Sequence, residues 1–272
     1  MPEGIPPPLF ISHGSPMHAL DPGAVGSAWR GLAQSLARPR AILVVSAHWD
    51  TETPLLTAMD NPETIHDFYG FPEPLYRLRY PAPGSADLAR RAQERLAAEG
   101  IPAALEIRRG LDHGAWSILL QMYPKAEIPV IQLSLQTALG PRHHYQVGRA
   151  LAPLAAEGVL LIGSGQMTHN LREWGRNVDG KPAPYVIEFQ AWVYDRIMAR
   201  DHEALLDYLR SAPHAARAHP SDEHFMPLFF TLGAAGQGAQ PLRTYDAVEG
   251  SVLAMDVYTF TATPSPGSAS GR

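Results

Sequence analysis

Cysteine is absent from all 272 residues, which excludes disulfides, iron–sulfur clusters and thiolate-bound zinc. Any metal must then be held by histidine and carboxylates, a donor set that suits iron, manganese or zinc. Long apolar runs are missing too, since none approaches the roughly 18 residues of a membrane span. There is no long basic run, and 22 Lys and Arg against 27 Asp and Glu leave a net charge of -5. That balance argues against a nucleic-acid surface. The opening Met1-Pro2-Glu3-Gly4-Ile5-Pro6 has neither the basic start nor the apolar core of a secretion signal. The expectation is a cytoplasmic protein that binds neither membrane nor nucleic acid. No repeat or linker divides the chain, so residues 1–262 are expected to form one domain. The Ser/Gly/Pro-rich residues 263–272 read as a disordered tail.

What is present alternates between two periods. Leu9–Ser12, Ala41–Ser46, Ile128–Leu135 and Val159–Gly163 are short, nearly continuous apolar runs, the pattern of parallel strands buried on both faces. Between them lie helical patterns. One follows Asp21-Pro22, an N-cap with proline at the first helical position. Ser85 caps Ala86–Glu99, which aligns Leu88, Ala89, Ala92 and Leu96 and stops at Gly100. Others run from about His113 to Met122, from Pro141 to Glu157, over Tyr185–Arg200 and Glu203–Leu209, and from Ser221 or Asp222 to Leu232. Ala104–Arg108 and Ser251–Phe260 alternate as strands, the latter placed at a sheet edge. Residues 51–83, rich in proline and aromatics, read as a long ordered loop walling a pocket. The alternation predicts an α/β fold: one domain with a largely parallel central sheet covered by helices on both faces.

Twelve histidines are present, and four stand where apolar runs stop or start. His13, His48 and His169 follow three of the predicted strands, and His224 opens Phe225-Met226-Pro227-Leu228. Ligands of open α/β sheets bind beyond the carboxyl ends of the strands, so these side chains are candidates for one shared metal site. His113, next to Asp112 at a strand-to-helix turn, can join from the same edge and serve as acid or base. His143, His144, His202 and His214 lie in polar helix ends or loops and read as solvated. His18 reads as a loop histidine. His219 lies five residues before His224, an offset of about 500° at about 100° per residue on a helix, and is left out of the site. Glu223 and His224 are about 100° apart on a helix, so only one can face a common point.

The motifs Ser12-His13-Gly14-Ser15-Pro16, Ser46-Ala47-His48-Trp49, His66-Asp67-Phe68-Tyr69-Gly70-Phe71-Pro72, Leu111-Asp112-His113-Gly114-Ala115-Trp116, Gly163-Ser164-Gly165 with Thr168-His169-Asn170, and Glu223-His224-Phe225-Met226-Pro227-Leu228 occur in that order. Together they resemble the DOPA 4,5-dioxygenase-type extradiol ring-opening dioxygenases, class III enzymes related to the catalytic subunit of protocatechuate 4,5-dioxygenase. The resemblance covers residues 8 to about 260. It implies a non-haem enzyme that opens a catechol beside its two hydroxyls with O₂, giving a muconic semialdehyde. It further implies His13, His48 and His224 as metal ligands, with His169 as acid/base or as a fourth ligand when no substrate is bound. His113 would contact substrate or assist proton transfer. Fe²⁺ is the implied working metal, and a three-histidine site accepts Zn²⁺ equally well in the isolated protein. His66, Phe68, Tyr69 and Trp49 are candidate substrate-binding residues, with Phe71 beside them. The partners implied are a small aromatic diol and O₂; the oligomeric state is open.

Two competing readings use the same ligands. A zinc hydrolase would activate water on the metal with His169 or Glu223 as base, and would work without O₂. A chelatase-like metal-binding protein would exchange metal and turn over no catechol. The long aromatic loop favours a flat aromatic substrate, and so the dioxygenase, over both.

Overall fold

Apolar runs that can be buried on both sides form the centre of the sheet. In a computed structural model, which describes residues 4–176 and 179–262, strands β1 (Leu9–Ser12), β2 (Ala41–Asp50), β3 (Leu55–Thr57), β4 (Ala104–Glu106), β5 (Val130–Leu135), β6 (Val159–Gly165) and β7 (Gln240–Tyr245) are followed by β8 (Val248–Glu249), β9 (Leu253–Ala254) and β10 (Val257–Thr261). Eight of these make one sheet in the order β4-β3-β5-β2-β6-β1-β10-β7, and β8 and β9 pair separately. The middle four, β5, β2, β6 and β1, are parallel to one another. The antiparallel pairs are β3 with β5, β1 with β10, and β10 with β7.

Alternate residues of the central strands feed two cores. Leu43 and Val45 of β2 and Leu161 of β6 face one, whereas Ile42, Val44, Leu160 and Ile162 face the other. The first face is covered by α3 (Ala86–Ala98), α5 (Gly140–Leu151), α6 (Pro184–Ala199) and α10 (Met226–Ala235), and the second by α1 (Gly23–Ser35) and α4 (His113–Met122). Short helices α2 (Glu73–Arg77), α7 (His202–Leu206), α8 (Tyr208–Ser211) and α9 (Ala215–Ala218) fill the connections. This is the single α/β domain with a largely parallel, doubly covered sheet that the sequence predicts. No described helix is long and apolar enough to cross a membrane.

Several local expectations change. The segment 51–83 is not loop throughout, because it contains β3 and α2. The remainder is ordered by backbone pairing: Leu111 N–H donates to Glu63 O at 2.7 Å and Ile65 N–H to Leu111 O at 2.8 Å. The strand expected to end at Ser46 runs on to Asp50, with its register to β5 shifting between Val45 and Asp50. His48 therefore sits inside an irregular strand extension, not past a strand end. The final strand β10 is interior, between β1 and β7, so the edge belongs to β7, whose Gln-Pro-Leu-Arg-Thr-Tyr sequence carries little strand signal. Asp21 does not cap α1, which starts after Pro22 without a side-chain cap. The helix from Pro141 breaks at Leu151 into a 3-10 turn over Ala152–Glu157, where Pro153 removes a helical donor. The tail expected at 263–272 lies outside the described residues.

Candidate active site

The parallel strands deliver their exits to one edge, and two glycines allow the other elements to close on it. A Cβ at Gly165, near the end of β6, would collide with the carbonyl oxygen of His224. The bare backbone there lets the turn before α10 lie against the strand, and Gln166 N–H donates to His224 O at 2.8 Å. A Cβ at Gly114 would collide with the hydroxyl of Ser46 and crowd His48. Gly114 thus lets the first turn of α4 press onto β2. Asp112 caps that turn by accepting from Ala115 N–H at 3.3 Å, and accepts the Ser46 hydroxyl at 2.7 Å and Gln132 Nε2 at 2.8 Å.

Five imidazoles meet as a result. The ring centroids of His13 and His48 are 4.9 Å apart, those of His13 and His224 5.5 Å, and those of His48 and His224 5.0 Å. His113 lies 4.0 Å from His48 and 5.5 Å from His13. His169 stacks on His224 at 3.5 Å with ring planes only 11° apart. Two sets of donor atoms cluster within 4.8 Å: those of His13, His48 and His113, and those of His169, Glu223 and His224.

Their outward nitrogens are already engaged. Ser164 spends its single proton on Gly114 O at 2.5 Å, so its oxygen accepts from His13 Nδ1–H at 3.0 Å. Asp67, an acceptor only, takes His113 Nδ1–H at 3.0 Å and His113 backbone N–H at 2.9 Å. Its other oxygen lies 3.4 Å from His48 Nδ1. Glu223 takes His224 Nδ1–H at 3.0 Å and the Ser221 hydroxyl at 3.0 Å. Tying Nδ1 to an acceptor fixes the tautomer and leaves Nε2 with a free lone pair, the arrangement usual for metal-ligating histidines. Here four Nε2 atoms are left for the interior.

The rings are also held neutral. Burial, then the neighbouring imidazoles, push His13 and His224 well below the usual histidine range. Burial and the charge of His113 push His48 down to about 3, against the opposing pull of Asp67. Burial takes His169 down to about 4, although Glu223 pulls the other way. For Asp67, burial favours the protonated acid, but the hydrogen bond and charge of His113 outweigh it and hold the carboxyl at about 2. Neutral imidazoles flanked by ionised carboxylates are what a divalent cation requires.

The donor chemistry fits such an ion. Two nitrogens each about 2.1 Å from one cation and at a right angle would stand about 3.0 Å apart; His13 Nε2 and His48 Nε2 are separated by 3.0 Å. His169 is a poorer ligand beside His224, because lone pairs lie in the ring planes. An ion in the plane of one ring is about one stacking distance out of the plane of the other.

Above the imidazoles opens a cavity of about 530 Å³, lined also by Gly14-Ser15-Pro16, Asp67, Phe68, Phe71, Gln166, Leu171, Trp174 and Leu253. Of the aromatic candidates, Phe68 and Phe71 line it, and the other three do not. Tyr69 is 92% exposed. Trp49 is buried beneath the Arg109 guanidinium, 4.8 Å from its ring. His66 packs behind Phe68 with Nε2 near Leu78 O at 3.1 Å. The reason is the turn at Gly70 (φ 78°) and the bulged end of β2, which rotate neighbours to opposite sides. Glu223 and His224 are not on a helix but in the turn preceding α10, and the carboxylate supports the imidazole instead of competing with it.

The sequence assigns no role to Asp67, Ser164, Leu171, Trp174 and Leu253, although Asp67 and Ser164 stand inside two of the motifs. Trp174 and Leu253 come from segments far apart in the chain, with Trp174 lying on Gly250 so closely that a Cβ there would meet its ring. Two histidines expected to be solvated are buried instead. His144 donates Nδ1–H to Gly140 O at 2.8 Å and accepts Gln136 N–H at Nε2, 3.1 Å. His202 meets the Tyr145 hydroxyl at 3.1 Å. His219, left out of the site on spacing, is buried away from it, bonded to Met167 O at 2.9 Å.

Known proteins resemble the chain throughout. Residues 7–254 match the family described as the catalytic LigB subunit of aromatic ring-opening dioxygenase. A protein of Beta vulgaris named 4,5-DOPA dioxygenase extradiol is 42% identical over 96% of this chain and 98% of its own length. One of the same name from Escherichia coli K12 is 42% identical over 87% of each chain. The crystal structure of an uncharacterized Escherichia coli K12 protein superposes with a TM-score of 0.80 at 35% identity, covering 93% of this chain and 98% of that one.

Proposed function

The chain belongs to the family of catalytic LigB subunits of aromatic ring-opening dioxygenases and is an extradiol ring-cleaving dioxygenase; from that premise we propose how its residues serve the reaction. The substrate is a catechol, DOPA-like or related, and the product a muconic semialdehyde. His13, His48 and His224 hold a divalent metal through Nε2, with ferrous iron as the working ion. Bound there, ferrous iron supplies an electron source for O₂ and a positive charge that favours the ionised catechol. Zinc fits the same three nitrogens but has no redox chemistry to offer, so a zinc-loaded preparation should be inactive.

The chain's own groups do the rest. Glu223 and Ser164 hold the Nδ1 protons of His224 and His13, and Asp67 lies 3.4 Å from Nδ1 of His48, so that each ring would present its Nε2 lone pair to a bound metal. His169, stacked on His224 at the cavity base, is the proton carrier: it takes a catechol proton and returns one as the ring opens. His113 contacts a substrate oxygen, its ring fixed by the two bonds to Asp67. Phe68 and Phe71 flank the aromatic ring at offset and edge geometries suited to π contacts. Residues 7–254 and the strand that follows act as one catalytic domain.

One observation carries this reading: at the base of an apolar cavity His13, His113 and His224 have Nδ1 tied to side-chain acceptors, and the Nε2 atoms of His13 and His48 stand 3.0 Å apart. The test is anaerobic loading with Fe²⁺, addition of a catechol and O₂, and recording of oxygen uptake with the yellow semialdehyde absorbance. Iron-dependent uptake with colour is expected. No uptake across a catechol panel, with ester or amide hydrolysis by the zinc form, would overturn it in favour of a hydrolase.

A further inference from the structure

The base of the cavity is polar, but its upper wall is not. Facing the imidazoles are Pro16, Phe68, Phe71, Leu171, Trp174 and Leu253. The wall is built rather than incidental. Phe68 meets Phe71 edge-on at 5.3 Å and His113 edge-on at 5.5 Å, and Trp174 is seated on the Gly250 backbone. Leu171 and Trp174, 54% and 47% exposed, mark where the wall reaches solvent.

Apart from the metal that the histidines would hold at the base, the charged side chains at the cavity are of one sign. Asp67 and Glu223 carry carboxylates that are already committed to histidine protons. No lysine or arginine is among the described lining residues. The nearby Arg109 is held elsewhere, donating to His48 O at 3.0 Å and lying over Trp49. A carboxylate joined directly to a catechol ring and directed at the wall would therefore lie against hydrocarbon, without a cationic side chain to meet it. Such a group loses hydration without gaining an ion pair in return. An apolar substituent at the same place is buried favourably, at a rate set by the area it removes from water.

We propose that this cavity selects catechols whose ring substituent is apolar over the atoms next to the ring, with charge tolerated only beyond the rim formed by Leu171 and Trp174. The inference rests on the catechol reading above and narrows its substrate class. Substrates with an aryl carboxylate are disfavoured, whereas 4-alkylcatechols, or catechols with a charged group at the end of a longer arm, are accepted.

The test uses the full chain loaded with Fe²⁺ and compares kcat/KM for 4-ethylcatechol and 3,4-dihydroxybenzoate. Anaerobic competition of the two for the same protein gives a readout independent of turnover. We expect 4-ethylcatechol to be favoured by about tenfold or more in both measurements, the scale on which a mismatched pocket discriminates. Leu171→Arg, at a half-exposed rim position that tolerates the change, should shrink the ratio by improving the benzoate. A benzoate that equals or exceeds 4-ethylcatechol in the native protein overturns the inference, and so does a ratio indifferent to Leu171→Arg. In either case ring opening itself survives. Absence of turnover with every catechol is the separate result that removes the dioxygenase reading and this inference with it.

Discussion

The cavity base and the helical layer around α5 and α9 both bury histidines, yet only at the first do side-chain acceptors hold Nδ1 of several rings and leave their Nε2 lone pairs free; in the second the one open nitrogen is Nδ1 of His219. His144 has both ring nitrogens filled by backbone groups, Gly140 O and Gln136 N–H. His219 donates Nε2–H to Met167 O and stacks at 4.6 Å on Phe225. Burial lowers both in basicity, His144 to about 4 and His219 to about 3, much as it lowers His48 and His169. Burial and weak basicity therefore do not distinguish a site from a structural histidine. The distinguishing feature is where the remaining lone pair points. At the cavity, side-chain acceptors hold Nδ1 and turn Nε2 inward; in the helical layer, backbone groups fill His144 and His219 keeps its proton on Nε2.

The comparison can be broken most sharply by removing a ring from each region. His48→Ala and His224→Ala should lose bound metal almost completely, measured by metal content after desalting. His144→Ala should retain it in full and lose stability instead, by about 1–3 kcal/mol for the backbone groups left unsatisfied, read from urea unfolding. His113→Ala decides the third ligand: retained metal supports His224, and loss equal to that of His48→Ala would move the ligand set to His13, His48 and His113.

Next in size, His169→Ala should lower turnover by about 10²–10⁴-fold, the usual worth of a positioned acid or base, while metal content persists. Equal metal loss in His169→Ala and His48→Ala would make His169 a ligand. Asp67→Asn keeps the shape but weakens the acceptor of two histidine protons. It should reduce metal affinity or activity by about 10–100-fold, the range for outer partners of ligating histidines.

The smallest effect concerns pH. His219 binds its proton in the unfolded chain below its ordinary value of 6.5 but in the folded protein only near 3. Its contribution to stability is thus present above 6.5 and is lost as pH falls through the window from 6.5 to about 3. The loss amounts to about 1.4 kcal/mol per pH unit within that window. His219→Phe removes this titration, so its stability deficit relative to the native chain at pH 7 should narrow by about 2 kcal/mol on going to pH 5. A deficit constant across that range would show that the ring is not held neutral by burial.

Much of this was legible in the sequence because it depends on local pattern. Continuous apolar runs mark β1, β5 and β6, and Ser85 and Asp112 cap the helices they precede. The histidines at run boundaries are those the sheet gathers. What was illegible depends on pairing between distant segments. Three residues, Leu55–Thr57, become a strand only because β4 and β5 lie beside them. Edge strand β7 is held by β10 and its own sequence hardly alternates. Trp49 and Tyr69 are aromatic and adjacent to site residues, but a bulge and a glycine turn face them away from the cavity. His144 reads as polar helix-start sequence and is buried because Gln136 folds over it. Trp174 reaches the wall through its seat on Gly250, a contact no local pattern announces.

The central claim is that the cavity histidines differ from the structural ones in the direction of a free Nε2 lone pair. It is tested most directly by NMR of the [¹⁵N]histidine-labelled full chain, metal-free and then titrated with Zn²⁺, with rings assigned by single substitutions. The account predicts Nδ1–H tautomers for His13, His48 and His224 before metal, and Nε2 resonances of those three moving together and saturating at one equivalent. His144 and His219 should not respond. Zinc-induced shifts at Nδ1 of the cavity rings, or saturation with His13 and His48 unmoved, would contradict it.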